Sequence, residues 1–205
     1  MSIKVLLASV ICIAFLSCKE QQEYLTVPPE TLDSLDSLIV LGLDSLHEKN
    51  LDIFLEHNRC DSLIYKLDLD QNSIYDVEFY LYHCYSPSHF YGTMKLRCLN
   101  DTVQVFTNDT LASPEILSFG DTLNSAGLWT NQSFEMIMKH QTSTIVGGDG
   151  VMYTEGNWHN IEEKYIGVKL VYPGLTKLAW IKVSIPNENI PKLHIHLTGN
   201  KEVEE

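Results

Sequence analysis

Positive charge is what this sequence has least of. Its 14 Lys and Arg stand against 27 Asp and Glu, a formal net charge of −13. Phosphate backbones are held by basic faces, so this balance argues against nucleic acid as a partner. It argues equally against adsorption to anionic headgroups through a basic patch. No apolar run approaches the roughly 20 residues that a bilayer-spanning helix requires; the longest extends from Val5 to Leu16, broken only by Ser9. There is no CxxC pair, so a thioredoxin-like redox role and a zinc ribbon have no support. GxSxG, HExxH and a phosphate-cradling Gly loop are all missing. The chain also lacks an internal repeat, a low-complexity tract and a convincing long amphipathic helix.

What is present begins at the N-terminus. Lys4 precedes the apolar run, which closes as Phe15-Leu16-Ser17-Cys18. A charged start, an apolar core and a small residue before the cut form a secretory signal peptide. With a cysteine directly after Ser17, it resembles a bacterial lipoprotein signal. The resemblance implies cleavage before Cys18 and lipidation of the Cys18 thiol, although Phe15 stands where Leu is most common. Buried acyl chains contribute about 0.8 kcal/mol per methylene, so the expected partner is a lipid bilayer. Residues 1–17 are then the signal peptide, 18–31 a polar tether with Pro28-Pro29, and 32–205 a single domain. Loss of Lys4 leaves the mature chain near −14. Lys19-Glu20 resembles the export signal of surface-displayed Bacteroidota lipoproteins; a plain solvated tether explains it equally, so surface and periplasmic faces of the outer membrane both stay open.

The domain reads as all-β. Val77, Phe79, Leu81 and His83 alternate with Glu78, Tyr80, Tyr82 and Cys84, and Tyr165 to Tyr172 alternates cleanly before the Pro173-Gly174 turn. Period-2 stretches rich in aromatic and β-branched residues mark half-buried strands. Further strands are expected at 38–41, 51–55, 63–67, 93–99, 103–107, 134–139, 178–185 and 193–197, with a helix over 31–49 as the alternative for the first. About ten short strands between turn signals predict an antiparallel β-sandwich or open barrel.

The sharpest chemical signal is Asp68-Leu69-Asp70-Gln71-Asn72-Ser73-Ile74-Tyr75-Asp76. Asp68, Asp70, Asn72 and Asp76 occupy loop positions 1, 3, 5 and 9, and Ile74 offers a backbone carbonyl at position 7. Calcium takes six to eight oxygens at roughly 2.3–2.6 Å, and three carboxylates would offset its charge. Position 6 is Ser73 where an EF-hand needs Gly for its sharp turn, and position 12 is Phe79 where it needs Glu, so this is no EF-hand. An acidic surface turn without metal is the competing account.

This loop, continued as Val77-Glu78-Phe79, and a second block of Trp158, Lys164–Leu170 and Leu178–Ile185 resemble motifs of uncharacterised secreted proteins and lipoproteins of Bacteroidota. The resemblance covers most of the mature length and implies the exported compartment, a sandwich and a calcium-like loop. It implies no catalytic residue. Gly167 permits close strand approach, and Trp158 and Trp180 are expected as core or rim aromatics rather than a ligand platform.

Asp followed by Ser or Thr and an apolar residue occurs seven times. The pattern resembles the O-glycosylation acceptor of exported Bacteroidota proteins and would place sugar on Ser34, Ser37, Ser45, Ser62, Thr102, Thr110 and Thr122. Ordinary turn and cap pairs give the same dipeptides. Among Cys60, Cys84 and Cys98, the expected disulfide is Cys84–Cys98, on the two sides of a hairpin; three buried free thiols are the competing account. His194 and His196 fall on one face of a strand, a candidate metal pair with no third ligand evident; a solvent-facing terminal strand is the competing account. Tyr80, Tyr82, Tyr85 and Tyr91 are candidates for stacking on sugar; core packing explains them equally well. With no catalytic motif, the expected function is a non-enzymatic, membrane-anchored recognition or structural module with a glycan or protein ligand. A carbohydrate-active or other hydrolytic enzyme is the alternative.

Overall fold

The computed structural model describes residues 38–43, 48–56, 60–86, 89–107, 113–142, 151–186 and 192–203. Among them there are thirteen strands and no helix. In chain order these are β1 (Leu38–Val40), β2 (Glu48–Glu56), β3 (Asp61–Leu67), β4 (Val77–Ser86), β5 (His89–Cys98), β6 (Val103–Phe106), β7 (Thr122–Asn124), β8 (Trp129–Thr130), β9 (Ser133–Thr142), β10 (Val151–Glu155), β11 (Ile161–Tyr172), β12 (Leu175–Ile185) and β13 (Lys192–Val203).

Two antiparallel sheets form the sandwich. One is five-stranded, in the order β10-β9-β5-β4-β3; the other is six-stranded, in the order β2-β13-β12-β11-β6-β8. Strand alternation builds the core between them. Leu67, Val77, Phe79, Leu81, Met94, Leu96 and Phe134 from the first sheet meet Val105, Ile166, Val168, Ala179, Ile181, Val183 and Ile195 from the second. Burial of such side chains contributes roughly 1.5–3 kcal/mol each, and this is the main force closing the two sheets. At the β11–β12 turn, Gly174 takes φ 75° beside Pro173, the left-handed position that glycine reaches without a steric penalty.

The six-stranded sheet is covered on its outer face as well. β1 pairs with β7 to form a separate ribbon. Ile39, Leu41, Leu117 and Leu123 pack there against Tyr165, Leu178 and Trp180. This explains why Tyr165–Val168 of β11 and Leu178–Ile181 of β12 are buried on both faces. Gly167 belongs to this layer: a Cβ there would lie 2.5 Å from Leu123 Cδ1. Trp158 and Trp180 are both fully buried, with the indole N–H donating to Pro114 O at 3.0 Å and to Glu48 Oε1 at 3.3 Å respectively.

Three features are topological, and two of them correct an expectation. The Asn100-Asp101 link joins β5 and β6, which lie in different sheets, so it is a crossover. β13 extends to Val203, and although last in sequence it lies inside the sheet, flanked by β2 and β12. His194 and His196 are therefore half-buried rather than displayed on a bare terminal strand. The third concerns the disulfide. Cys84 bonds to Cys60, and Cys98 is free. In the β4–β5 register Cys84 lies opposite Tyr91 while Cys98 lies opposite Val77, so the two sit at opposite ends of the hairpin. Cys60 continues β3 one step past the Asp61–His83 pair and meets Cys84 across the neighbouring strands.

Candidate functional site

The loop between β3 and β4 gathers the expected carboxylates. Asp68, Asp70 and Asp76 each place a carboxylate oxygen within 4.8 Å of the others, a group that can hold a metal ion. The local sequence explains the geometry. Asp68 accepts backbone N–H bonds from Asn72 at 3.1 Å and Ser73 at 2.8 Å, and Asn72 Oδ1 accepts from Ile74 N at 2.8 Å. Such Asx bonds give the chain an alternative to the sheet ladder. The sharp turn is made without glycine: Gln71 and Ser73 take φ 62° and 71°. Left-handed backbone costs an L-residue about 1–2 kcal/mol, and the carboxylate–amide bonds hold it in place.

Asp76 anchors the base of the loop. It is 1% exposed, and its Oδ2 accepts Leu69 N at 2.7 Å. Its backbone N–H donates to Leu67 O, and its carbonyl accepts from Leu99 N, both at 2.8 Å. Burial raises its carboxyl to about 6, aided by the charges of Asp70 and Asp68 and opposed by the Leu69 amide. A buried acid set beside two further carboxylates is an electrostatic conflict that a cation relieves.

The opposite sheet completes the surroundings. Lys177 on β12 pairs with Asp70 at 3.2 Å. Tyr172 accepts from Asn72 Nδ2 at 3.2 Å, and Asn200 Nδ2 donates to Leu69 O at 2.7 Å. Burial, then the charges of Asp76 and Asp70, push the Tyr172 phenol up to about 12. None of these three partners is marked by a motif. They lie 100 or more residues away in sequence, and only sheet packing brings them to the loop. Of the expected ligands, the three aspartates converge. The Asn72 amide is committed to Ile74 and Tyr172, and the Ile74 side chain is exposed.

A second feature lies on the outer face of the five-stranded sheet. Alternation places Tyr80 and Tyr82 of β4 there with Tyr91 of β5. Tyr82 and Tyr91 have ring centroids 5.8 Å apart, and the Arg97 guanidinium lies 4.5 Å over Tyr80. At the sheet edge Tyr153 stacks on His140 at 5.0 Å. Tyr91 is 38% and Tyr153 47% exposed. Tyr85, out of phase with Tyr82, falls on the other face.

Of the modification candidates, Ser62 on β3 and Thr122 on β7 are exposed. Thr102 is half-buried and hydrogen-bonds Asn100 through both its amide and its hydroxyl. Cys18, Ser34, Ser37, Ser45 and Thr110 lie outside the described residues. No described helix is long and apolar enough to cross a membrane. No protein-family model matches the chain, and comparison with curated proteins and with solved structures returns no match.

Proposed function

We propose that this chain is an exported, lipid-anchored β-sandwich that acts as a non-enzymatic recognition module at the outer membrane of a bacterium of the Bacteroidota type. The observation that carries the reading is the tyrosine face of the five-stranded sheet. Tyr80, Tyr82, Tyr91 and Tyr153 share one face of the sheet, with Tyr91 and Tyr153 exposed and Tyr80 and Tyr82 half-buried. Aromatic rings with a polar handle suit ligands that are apolar on one side and hydroxylated on the other, and a glycan has that chemistry. Cys18 supplies the anchor in this reading, and the acidic loop supplies a calcium staple away from the recognition face. Calcium, not magnesium, suits a loop that offers carboxylates and backbone carbonyls in a flexible arrangement.

The test is a glycan array probed with the purified full-length chain, with Tyr82→Ala and Tyr91→Ala beside it. Binding that is lost in both variants while calcium stabilisation is retained supports the reading. Glycan hydrolysis by the wild type, or binding untouched by both substitutions, overturns it.

A further inference from the structure

The strand registers draw one row of side chains across the outer face of the five-stranded sheet. Cys84 lies opposite Tyr91, Tyr91 opposite His140, and His140 opposite Tyr153. At the β3 edge, Cys60 joins the row through its bond to Cys84. The row therefore reads Cys60, Cys84, Tyr91, His140, Tyr153, one side chain from each strand or its immediate flank. Neighbouring strands lie about 4.8 Å apart, so four spacings give the row a length of roughly 19 Å. It runs across the strands, not along them. Cys60, Tyr91 and Tyr153 are exposed, and Cys84 and His140 are half-buried.

Neighbours fix the rings along this row. The Tyr91 hydroxyl lies 3.8 Å from Met138 Sδ on β9, so this ring leans over the next strand instead of standing off the sheet. Tyr82 supports it at 5.8 Å. Tyr153 stacks on His140 at 5.0 Å, with the ring planes 17° apart. A tyrosine held in this way gives contact area and a hydroxyl with little loss of side-chain entropy. Two phenols and an imidazole supply both donors and acceptors. Charge is absent: the row holds no carboxylate, ammonium or guanidinium. On the same face Lys95 and Arg97 stand further along β5, and each is paired, with Glu135 at 3.2 Å and with Glu78 at 2.9 Å. Exposed Asp61 and Glu155 flank the two ends, beside Cys60 and along β10 from Tyr153. A ligand on this strip is offered hydrogen bonds and ring surface without a counter-charge, and an anionic one meets a carboxylate at either end.

We propose, resting on the recognition reading above, that the ligand is a neutral glycan with an extended, equatorially linked backbone, laid along this row with about four sugar residues. A residue of such a chain repeats at close to the strand spacing, so successive sugars come into step with successive strands. An extended chain stays flat over the row, whereas a helical, axially linked one curls away from it. Its hydroxyls meet the phenols and the imidazole, and its C–H faces meet the rings. His140, between the two exposed tyrosines, is the specificity-determining residue that holds the middle of the chain. Tyr153, on the far strand, sets the length of chain that is gripped.

The test is calorimetric titration of the purified full-length chain with β-1,4-linked gluco-, xylo- and manno-oligosaccharides of two to six residues. Maltotetraose and a β-1,4-linked glucuronic acid tetramer are run beside them. At least one neutral β-linked series should bind, with affinity rising up to about four residues and level beyond. Maltotetraose and the acidic tetramer should bind at least tenfold more weakly. His140→Ala and Tyr153→Ala should each weaken binding of the tetramer at least tenfold, and Lys95→Gln should leave it unchanged. Tyr153→Phe keeps the ring and guards against misfolding: with an unchanged melting temperature it should still lose affinity severalfold. Glycan binding that needs Tyr82 and Tyr91 but survives in the His140 and Tyr153 variants overturns this inference and leaves the recognition reading standing, as does a preference for the acidic or the helical tetramer. Binding of no glycan at all removes both.

Discussion

Lys177 Nζ lies 3.2 Å from Asp70 Oδ2, so a lysine of the six-stranded sheet reaches into the acidic loop of the five-stranded one. The Asp70 side chain is 3% exposed, and the pair is shielded from the screening that weakens surface ion pairs. The ammonium supplies positive charge to a cluster of three carboxylates. Any metal ion must share Asp70 with it.

That competition sets the first prediction. Millimolar calcium, against an excess of chelator, should raise the melting temperature of the wild type, because binding to the native state stabilises it by about 2.7 kcal/mol at a hundredfold excess over Kd. A chain of this size shifts by roughly 2–4 °C per kcal/mol. Lys177→Gln should lower stability without calcium and enlarge the calcium shift. Differential scanning calorimetry checks both, and a variant that responds less than wild type would show that the lysine helps to build the site.

Asp76 sets a pH dependence. Its folded carboxyl sits at about 6 against an ordinary 3.8. Between those values the folded state binds more protons than the unfolded state, so stability falls as pH rises. The contribution is fully present below about pH 4 and lost above about pH 6, with a size of roughly 3 kcal/mol from the shift alone. Calcium needs the ionised form, so its stabilisation should grow over the same window. Asp76→Asn keeps an acceptor for Leu69 N–H and should flatten the metal-free profile between pH 4 and 6. Urea midpoints measured across that range, with and without calcium, are the check.

The Cys60–Cys84 bond closes a sequence separation of 24 residues. Loop-closure entropy assigns such a cross-link about 3 kcal/mol. Cys60→Ser or Cys84→Ser should each cost close to this amount. Cys98→Ser should cost much less, since its thiol is free and burial holds it at about 11, mostly protonated and slow to react. Peptide mapping of unreduced protein should recover Cys60 linked to Cys84; a Cys84–Cys98 peptide would contradict the strand register.

Gly167 lies opposite Trp180 under the β1–β7 ribbon. Gly167→Ala would press a methyl against Leu123 Cδ1 at 2.5 Å and Phe106 Cβ at 3.0 Å. Overpacking of this kind costs about 1–3 kcal/mol. Thermal unfolding should show the loss, and Leu123→Ala in the same chain should recover part of it by vacating the volume.

Cys18→Ala should release the protein from the membrane fraction of its host and remove the mobility change that acylation causes. A variant that still sediments with membranes would sink the lipid-anchored part of the functional proposal.

Strand identity was legible because β4 and β11 carry a period of two over many residues, and a half-buried strand can satisfy that period in only one way. The acidic loop was legible because its ligands are local, spaced by alternate residues. The glycine requirement at position 6 was not decisive: Ser73 takes φ 71°, since Asp68 holds its amide. The disulfide was misjudged because flanking a hairpin differs from facing across it, and a register offset decides which cysteines meet. His194 and His196 were visible as a pair, but their hydrogen-bond partners Asp52 and Ser184 come from other strands through bulges that leave no mark in composition.

The amino-acid order by itself determined an all-β chain, its acidic surface and the convergence of Asp68, Asp70 and Asp76, because short-range sterics and hydrogen bonds act within a few residues of each other. Only the tertiary structure decided that Lys177 faces Asp70, that Cys60 meets Cys84 and that one sheet is covered on both faces. Those outcomes depend on how strands order and register within sheets, and burial of the whole apolar surface settles that order collectively, not residue by residue.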